Sequence, residues 1–295
     1  MKKIFKNNSI FLGMLLSVCF LFSCTEEISV NVPHDAQTVI FGFISNDTAP
    51  ISIFIQQTVP LNSAATFTAV NDAMVSLHTK DTSGNTSIIT NDFIINQGNY
   101  TSIQPITAQM GNTYWIEVLL SDGTLFTSTE EILKPIVVVD EITIIDEDFV
   151  EIVFNDPAND TNFYSINVEL LNNGQVVSSN TSQSNDVVFN GNENATVEAD
   201  LFPFEDEDDE DEILIEYDEI KVTLGNINFD SYQFLLNRDF QQEANDSDSA
   251  GDPSQLFSTP PVSLFGNITN TTAGTTALGN FTITSLSILS QDIPD

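Results

Sequence analysis

The stretch GNTYWIEVLLSDGTLFTS, Gly111 to Ser128, contains two apolar runs separated by a short polar segment. The runs Trp115–Leu120 and Leu125–Thr129 are rich in aromatic, branched and aliphatic residues, which suit the pleated and half-buried surface of a strand. An Asp-Gly pair between two such runs is a strong local signal for a tight β-hairpin. The stretch therefore predicts an antiparallel hairpin, and similar alternation of apolar runs with polar turns continues through most of the chain.

Short strand patterns recur on both sides of this hairpin, and their number predicts β-sandwiches. In the first part of the chain they are Thr38–Ile44, Ile51–Thr58, Met74–Thr79, Ser87–Thr90, Tyr100–Ile103, Thr113–Leu120 and Leu125–Thr129. A second series comprises Ile136–Val139, Ile142–Ile145, Val150–Phe154, Phe163–Leu171, Gln175–Ser178, Val187–Phe189, Ile213–Tyr217, Ile220–Leu224 and Phe281–Leu289. Lys134-Pro135 lies between the two series, and proline interrupts strand pairing.

We therefore predict an all-β protein with two immunoglobulin- or fibronectin III-like β-sandwiches in tandem, over 37–134 and 135–295. The last strand is expected to complete the second sandwich, which also contains an acidic loop over 205–212. One helix is predicted in it over about 230–244, because apolar side chains recur there with helical spacing. They are Tyr232, Leu235, Leu236 and Phe240.

The first thirty residues carry a secretion pattern. Three lysines fall within Met1–Lys6, and the apolar run Ile10–Phe22 that follows is shorter than the roughly 20 residues that span a bilayer. Leu21-Phe22-Ser23-Cys24 resembles a bacterial lipobox, with Phe22 larger than the residue usually found there. We predict a signal peptide over 1–23, a lipid-carrying Cys24 and a tether over 24–36. An ordinary signal peptide with an incidental cysteine is the alternative.

The acidic pair Glu26 and Glu27 lies directly behind the predicted lipidation site. It resembles the surface-export signal of Bacteroidota lipoproteins, which predicts an outer-membrane protein that faces the cell exterior. Its membrane partner would be outer-membrane lipid, because two or three acyl chains on Cys24 would hold it firmly, at about 0.8 kcal/mol per buried methylene. A solvated tether is the alternative interpretation of the two glutamates.

The charge balance is extreme, with 43 acidic against 7 basic residues and a formal net charge of -36. Nucleic acid is excluded as a partner, because phosphate binding needs several clustered cations. Eight consecutive acidic residues repel one another and predict a solvated loop. A weak calcium site and a docking strip for a basic patch on a partner are the alternatives. The eight residues are Glu205, Asp206, Glu207, Asp208, Asp209, Glu210, Asp211 and Glu212.

Two further sites follow from short patterns. Thr48 and Ser249 each stand between an aspartate and an alanine. This arrangement resembles the Asp-Ser/Thr-Ala acceptor of O-glycosylation in Bacteroidota, so both hydroxyls are candidate glycosylation sites.

Catalytic chemistry has few candidate residues. His34 and His78 are the only histidines, and both cysteines, Cys19 and Cys24, belong to the predicted secretion and lipidation signals. The chain has neither a G-x-S-x-G motif nor a phosphate-binding loop. Acidic residues are so abundant that no carboxylate pair by itself indicates glycoside hydrolysis. We expect no enzymatic activity and no cofactor, and we expect the single tryptophan, Trp115, in the core, with stacking on a sugar as the alternative.

Several segments in order carry a family resemblance. They are TVIFGFIS (38–45), GNYTS (98–102), MGNTYWIEVLLSDGTLFTS (110–128), PPVSLFGNITN (260–270) and ALGNFTI (277–283). With the lipobox, this order resembles the Bacteroidota lipoproteins of domain-of-unknown-function family 4249 along nearly the whole chain. The resemblance implies an outer-membrane lipoprotein of the kind often encoded beside TonB-dependent receptors, and it carries over no catalytic residue.

Together these features predict a non-catalytic binding or accessory subunit at the cell surface, with a TonB-dependent transporter as its partner. A stand-alone structural or adhesive surface protein is the alternative.

Overall fold

The computed structural model describes residues 33–60, 63–145, 149–158, 160–201, 215–244 and 264–293. Within these ranges the short apolar runs form strands, and the segment with helical spacing forms the helix α1, Phe229–Ala244. The strands are β1 Thr38–Ser45, β2 Ser52–Gln57, β3 Thr68–Ala69, β4 Met74–Lys80, β5 Thr86–Thr90, β6 Phe93–Asn96, β7 Asn99–Ser102, β8 Thr113–Leu119, β9 Leu125–Ser128, β10 Glu131–Ile132, β11 Val139–Ile144, β12 Phe149–Phe154, β13 Phe163–Asn172, β14 Gln175–Asn185, β15 Ala195–Asp200, β16 Glu219–Ile227, β17 Phe265–Asn270 and β18 Thr275–Asp292.

The hairpin predicted from Gly111–Ser128 is confirmed, since β8 and β9 pair antiparallel with Leu119 opposite Leu125. Its turn closes through main-chain hydrogen bonds from Leu120 N to Thr124 O (2.9 Å) and from Gly123 N to Leu120 O (3.0 Å). The Asp122 carboxylate also accepts a hydrogen bond from Thr124 N at 2.8 Å. The short-range turn signal therefore specified this pairing by itself.

Some strands were predicted wrongly, because pairing with neighbouring strands can outweigh the local preference of a segment. Val187–Phe189 was predicted as a strand but forms a turn, in which Val187 is 78% and Val188 87% exposed. In the segment just before this turn, the predicted strand was too short. The polar strand β14 continues to Asn185, beyond the predicted Gln175–Ser178, because it pairs with β13 along its length. The pattern also missed β15 and β17. Each pairs with a strand far away in the sequence, β12 and β9 respectively, although β17 also pairs with the following strand β18.

A first hydrophobic cluster lies inside a path of ten hydrogen-bonded strands, in the order β5-β4-β8-β9-β17-β18-β1-β2-β7-β6. Leu77 on β4 and Ile53 on β2 stand near opposite ends of this path, yet both belong to the cluster. The path must therefore wrap around its own core. Within it, the Tyr100 hydroxyl donates to Val70 O and accepts from Ala73 N, so its polar end is satisfied.

A second hydrophobic cluster lies between two sheets, as in a β-sandwich. One sheet contains β14, β13, β16 and the end of β18, and the other is the three-stranded sheet β11-β12-β15. Ring contacts of Phe154 with Tyr164 and Phe189 fill its centre. The buried carboxylate of Asp156 accepts hydrogen bonds from Tyr164 Oη and Gly191 N, so it needs no further partner there.

Strand β18 joins the two clusters, which corrects its predicted role in the second sandwich. Its residues Leu278–Thr284 pair in parallel with β1, and Thr284–Asp292 pair antiparallel with β16. Phe281 and Ile283 accordingly lie in the first cluster. Consistent with this sharing, Ala36–Val59 and the residues from Ser63 onward belong to one compact unit; the other unit comprises Met1–Asp35 and Pro60–Asn62, of which only 33–35 and Pro60 are described.

Helix α1 confirms the predicted helix but uses a different face. Phe234 is buried, with its ring 5.7 Å from that of Phe41, whereas Phe240, on the predicted apolar face, is 59% exposed. Tyr232 is buried as predicted, with its ring 4.9 Å from that of Phe163. The first half of the helix packs across strands of both clusters, and not against the second cluster alone. Among the described residues, no helix is long and apolar enough to cross a bilayer.

Candidate functional site

Most of the predicted site residues lie outside the described residues. These are Cys24, Glu26 and Glu27, the acidic run 205–212 and Ser249. Thr48 is described and exposed, and its Oγ1 lies 2.5 Å from Thr107 Oγ1. Its hydroxyl is therefore at the surface, where a glycosylation site would have to be.

Trp115 belongs to the packed interior. It is 7% exposed and stacks on the His78 ring, with centroids 5.1 Å apart and planes 14° from parallel. His78 Nε2 lies 2.9 Å from Ser76 Oγ and 3.5 Å from Glu117 Oε2. Trp115 thus offers no open face to a sugar, and His78 is engaged in local packing and polar contacts.

A cavity of about 600 Å³ is lined by three chain segments, 129–135, 157–162 and 226–230. The segments meet where β10 leads through Lys134-Pro135 towards β11, beside the start of α1. We call this space the junction cavity. The side chains that define its chemistry are Glu131, Lys134, Asp160, Asn226, Phe229 and Asp230.

The Glu131 carboxylate is a buried, fixed group of the junction cavity, only 7% exposed. Its Oε1 accepts from Asn267 Nδ2 at 3.0 Å and its Oε2 from Asn228 Nδ2 at 2.8 Å. Burial raises the pKa of this carboxyl, while the two amide hydrogen bonds act in the opposite direction. Asn267 also bonds both main-chain groups of Phe281 on β18, so the carboxylate is anchored to the shared strand.

Lys134 is the cation of the junction cavity. Its Nζ lies 5.5 Å from the centroid of the Phe163 ring and donates to Thr161 O at 3.4 Å. Partial burial lowers the pKa of Lys134, and the nearby carboxylates of Asp160, Asp186 and Glu131 oppose this effect. The carboxylates around the cavity therefore outnumber its ammonium group.

Asn226, beside the junction cavity, has a buried side-chain acceptor without a donor. The residue is 1% exposed, and its Nδ2 donates to Pro135 O at 3.2 Å. Its Oδ1 receives no hydrogen bond from any described residue. Buried polar atoms nearly always have a partner, so this orphan oxygen needs an explanation.

A second concavity, of about 510 Å³, lies on the outer face of the sheet beneath α1. Neighbouring strands β2, β1, β18, β16, β13 and β14 form a continuous surface here. Phe43 is 56% and Phe54 40% exposed along its border. We call this surface the sheet groove; it is more apolar in character than the junction cavity.

In the described part of the chain, no three His, Cys, Asp or Glu side chains are grouped so that they could hold a metal ion. The calcium interpretation of the acidic run concerns residues outside that part. Sequence reasoning missed Glu131 and Asn226, since neither belongs to a motif. The one available signal was a glutamate just before the predicted boundary at Lys134-Pro135.

Comparison with known proteins identifies the family. No curated protein matches the chain. A crystal structure of the FN1–FN3 domains of chicken CNTN1 is similar at 7% identity, over 64% of this chain and 58% of that one. Its TM-score of 0.22 is too low to support any argument, and this chain spans little more than half of its length. A family model described as domain of unknown function DUF4249 matches residues 25–287, so the chain belongs to the DUF4249 family.

Proposed function

We propose that this protein is a surface-exposed outer-membrane lipoprotein of Bacteroidota, lipidated on Cys24, that acts as a non-catalytic binding subunit of a TonB-dependent transporter. In this proposal its two clusters are fibronectin III-like sandwich modules that share β18. Three features support a location at the outer membrane: the lipobox, the acidic pair behind it and the resemblance of this chain to the Bacteroidota lipoproteins of the family.

The observation that carries the binding role is the junction cavity. Its volume of about 600 Å³ falls within the usual range of small-molecule sites, roughly 300–1,000 Å³. Binding sites combine an apolar wall with a few fixed polar groups. Ile132, Pro135 and Phe229 supply the apolar part, and Glu131 and Asn226 are polar groups held by hydrogen bonds.

The tether limits where the ligand is held. Residues 24–36 span at most about 45 Å when fully extended, at roughly 3.5 Å per residue. A cavity on the folded part of the chain would thus stay close to the outer surface of the membrane. A transporter barrel in the same membrane is then within reach of the bound ligand.

Affinity purification from outer membranes solubilised in mild detergent tests this proposal. We expect the tagged protein to recover a β-barrel of the TonB-dependent class, and external protease to remove the protein from intact cells. Cys24→Ala is the control, which should abolish lipid labelling and release the chain from the membrane.

Recovery without any barrel would contradict the proposed partnership. A deletion strain with normal nutrient uptake but altered attachment would instead favour the structural or adhesive alternative.

A further inference from the structure

We propose that the sheet groove is a second ligand site, which binds a free long-chain carboxylate with its alkyl chain against phenylalanine rings and its carboxylate at Arg238. This inference goes beyond the proposed function, because it concerns a different surface from the junction cavity. It assigns a chemical class of ligand and the residue that recognises the charged end of that ligand.

The first argument is the apolar wall of the sheet groove. Phe41 and Phe43 on β1 line it together with Phe54 on β2. Along their strands these residues alternate with core residues such as Ile40 and Ile53, so they face away from the first cluster. Phe43 and Phe54 remain exposed. An alkyl chain that covers these rings would be stabilised, because apolar surface would leave water on both sides of the contact.

The second argument is the elongated shape of the sheet groove. Its lining residues come from six neighbouring strands, in the order β2, β1, β18, β16, β13 and β14, and from α1. Neighbouring strands lie about 4.8 Å apart, so the groove extends over roughly 20 Å of the sheet. An apolar groove of this shape fits an extended chain better than a compact ring.

The third argument is the charge along the sheet groove. The chain has 43 acidic residues, yet none of them is among the described residues that line the groove. Arg238, the only arginine of the chain, does line it. Phe234 and Leu235 lie about one helical turn before Arg238 on α1 and line the groove as well. The cation therefore stands beside apolar side chains and away from most of the negative charge.

The guanidinium of Arg238 is accessible to a ligand. The side chain is exposed, and its Nε and Nη2 lie 2.9 and 2.8 Å from the same atom, Asp239 Oδ1. Among the described residues only Asp239 accepts from this guanidinium, which leaves further N–H donors for a second carboxylate. Exposed ion pairs are weak, so a ligand carboxylate can share the guanidinium with Asp239 or replace it. Arginine also binds carboxylates through two parallel hydrogen bonds.

Two other occupants match the sheet groove less well. Anionic membrane surfaces attract clusters of Lys and Arg, whereas the described lining contains one arginine and no lysine. Two copies of this chain, each with a formal net charge of -36, would repel one another. One carboxylate on an apolar chain matches both the single cation and the apolar wall.

Equilibrium dialysis tests the inference, with decanoate as the probe. Decylammonium has an alkyl chain of the same length and the opposite charge, and decan-1-ol is the neutral match. The protein is the full chain with Cys24→Ala, which can be kept free of a detergent that would compete for the groove. We expect decanoate to bind at least about fivefold more tightly than decylammonium, although general attraction to an acidic protein would favour the cation.

Arg238→Gln is the decisive variant, because it removes the cation and keeps a good helix former. We expect it to weaken decanoate binding about fivefold and to leave decan-1-ol binding unchanged. Lys80→Gln makes the same change in net charge at an exposed ion pair with Glu130, outside the groove, and should leave decanoate binding unchanged. Asp239→Asn removes the competing carboxylate and should strengthen decanoate binding about twofold.

Phe43→Thr tests the apolar wall. Phe43 is exposed, so the substitution leaves the core intact, and threonine suits a strand. We expect decanoate and decan-1-ol binding to weaken by a similar factor, about threefold, because both ligands lose contact with the same ring.

Unaltered decanoate binding in Arg238→Gln would overturn the inference, as would equal or tighter binding of decylammonium by the parent chain. If Arg238→Gln does not fold, Phe43→Thr decides, and unaltered binding there would also overturn it. A dimer in sedimentation that Phe43→Thr dissociates and decanoate does not would replace it with a contact between copies. Binding to phosphatidylglycerol vesicles that Arg238→Gln abolishes, without competition from decanoate, would replace it with a membrane contact. Failure to recover a transporter would count against the proposed function and leave these measurements unaffected.

Discussion

Two buried polar side chains, Asn226 and Glu131, differ in how well the fold satisfies them. Glu131 accepts hydrogen bonds at both carboxylate oxygens, whereas Asn226 leaves its oxygen without a donor. Removing one partner of a buried pair costs more than replacing a whole polar group by an apolar one of similar shape. The two residues should therefore respond in opposite ways to substitution.

Asn226→Leu is expected to keep the free energy of unfolding within about 1 kcal/mol of the wild type, or to raise it. The orphan oxygen disappears, and Pro135 O keeps its hydrogen bond from Ser285 Oγ. Urea denaturation measures this. The control Asn267→Leu strips partners from Glu131 and Phe281 and should cost about 3 kcal/mol or more. Equal destabilisation by both substitutions would contradict this account.

The pH dependence of stability should reveal the buried carboxyl of Glu131. Its folded-state pKa is raised above the unfolded value of about 4.3, so between the two values the unfolded state binds fewer protons. Stability from this group is therefore full below the unfolded pKa and falls as pH rises through the folded pKa. Glu131→Gln should be destabilised most at acidic pH relative to the wild type, with the difference narrowing towards pH 7. Denaturation curves at several pH values check this, and a difference that does not change with pH would contradict it.

Among the strands, β18 has the most demanding position, because it pairs in succession with three others, β17, β1 and β16. Gly279 marks the place where β18 lies against β1 and where its pairing with β17 shifts register. Its φ is +104°, and a Cβ there would lie 1.9 Å from Ile40 O. The close approach of β1 and β18 thus requires glycine at this point.

Gly279→Ala is expected to destabilise the protein by about 3 kcal/mol or more, since both the backbone conformation and the main chain of β1 oppose a side chain. Gly274→Ala is a matched control, with φ of +68° and open space around the Cβ position. It should cost only about 1–2 kcal/mol, from the left-handed conformation alone. Thermal unfolding of the two variants tests the difference, and similar melting temperatures would contradict the proposed collision.

On the scale of the whole molecule, the two ends of the folded chain meet in one core. Ile40 near the start and Phe281 near the end belong to the same cluster, through the parallel pairing of β1 with β18. The first cluster thus depends on residues that follow the second one in sequence. This arrangement should couple the unfolding of the two parts.

A fragment of residues 37–134 is expected not to fold, although it contains the whole predicted N-terminal sandwich. It lacks β17 and β18, and with them Ile268, Phe281 and Ile283 of the first cluster. β1 would become an exposed edge along a core with missing side chains, and loss of one such buried side chain already costs about 2–5 kcal/mol. A proton NMR spectrum of the fragment should show poor dispersion, whereas the full-length chain in mild detergent should give dispersed signals. A well-dispersed fragment spectrum would show that residues 37–134 fold on their own.

Local sequence determined the strand-rich character, the hairpin at Asp122-Gly123 and the helix near 229–244, because each depends on neighbours within a few residues. Tertiary structure alone decided that β18 serves both clusters and that Glu131 and Asn226 line one cavity. The residues around β18, Glu131 and Asn226 in the sequence do not reveal which distant strand lies beside each of them. An alternating pattern of apolar and polar residues specifies the buried face of a strand but not its pairing partner. The pairing of β1 with β18 joins residues that are far apart in the sequence, and both the shared core and the junction cavity depend on it.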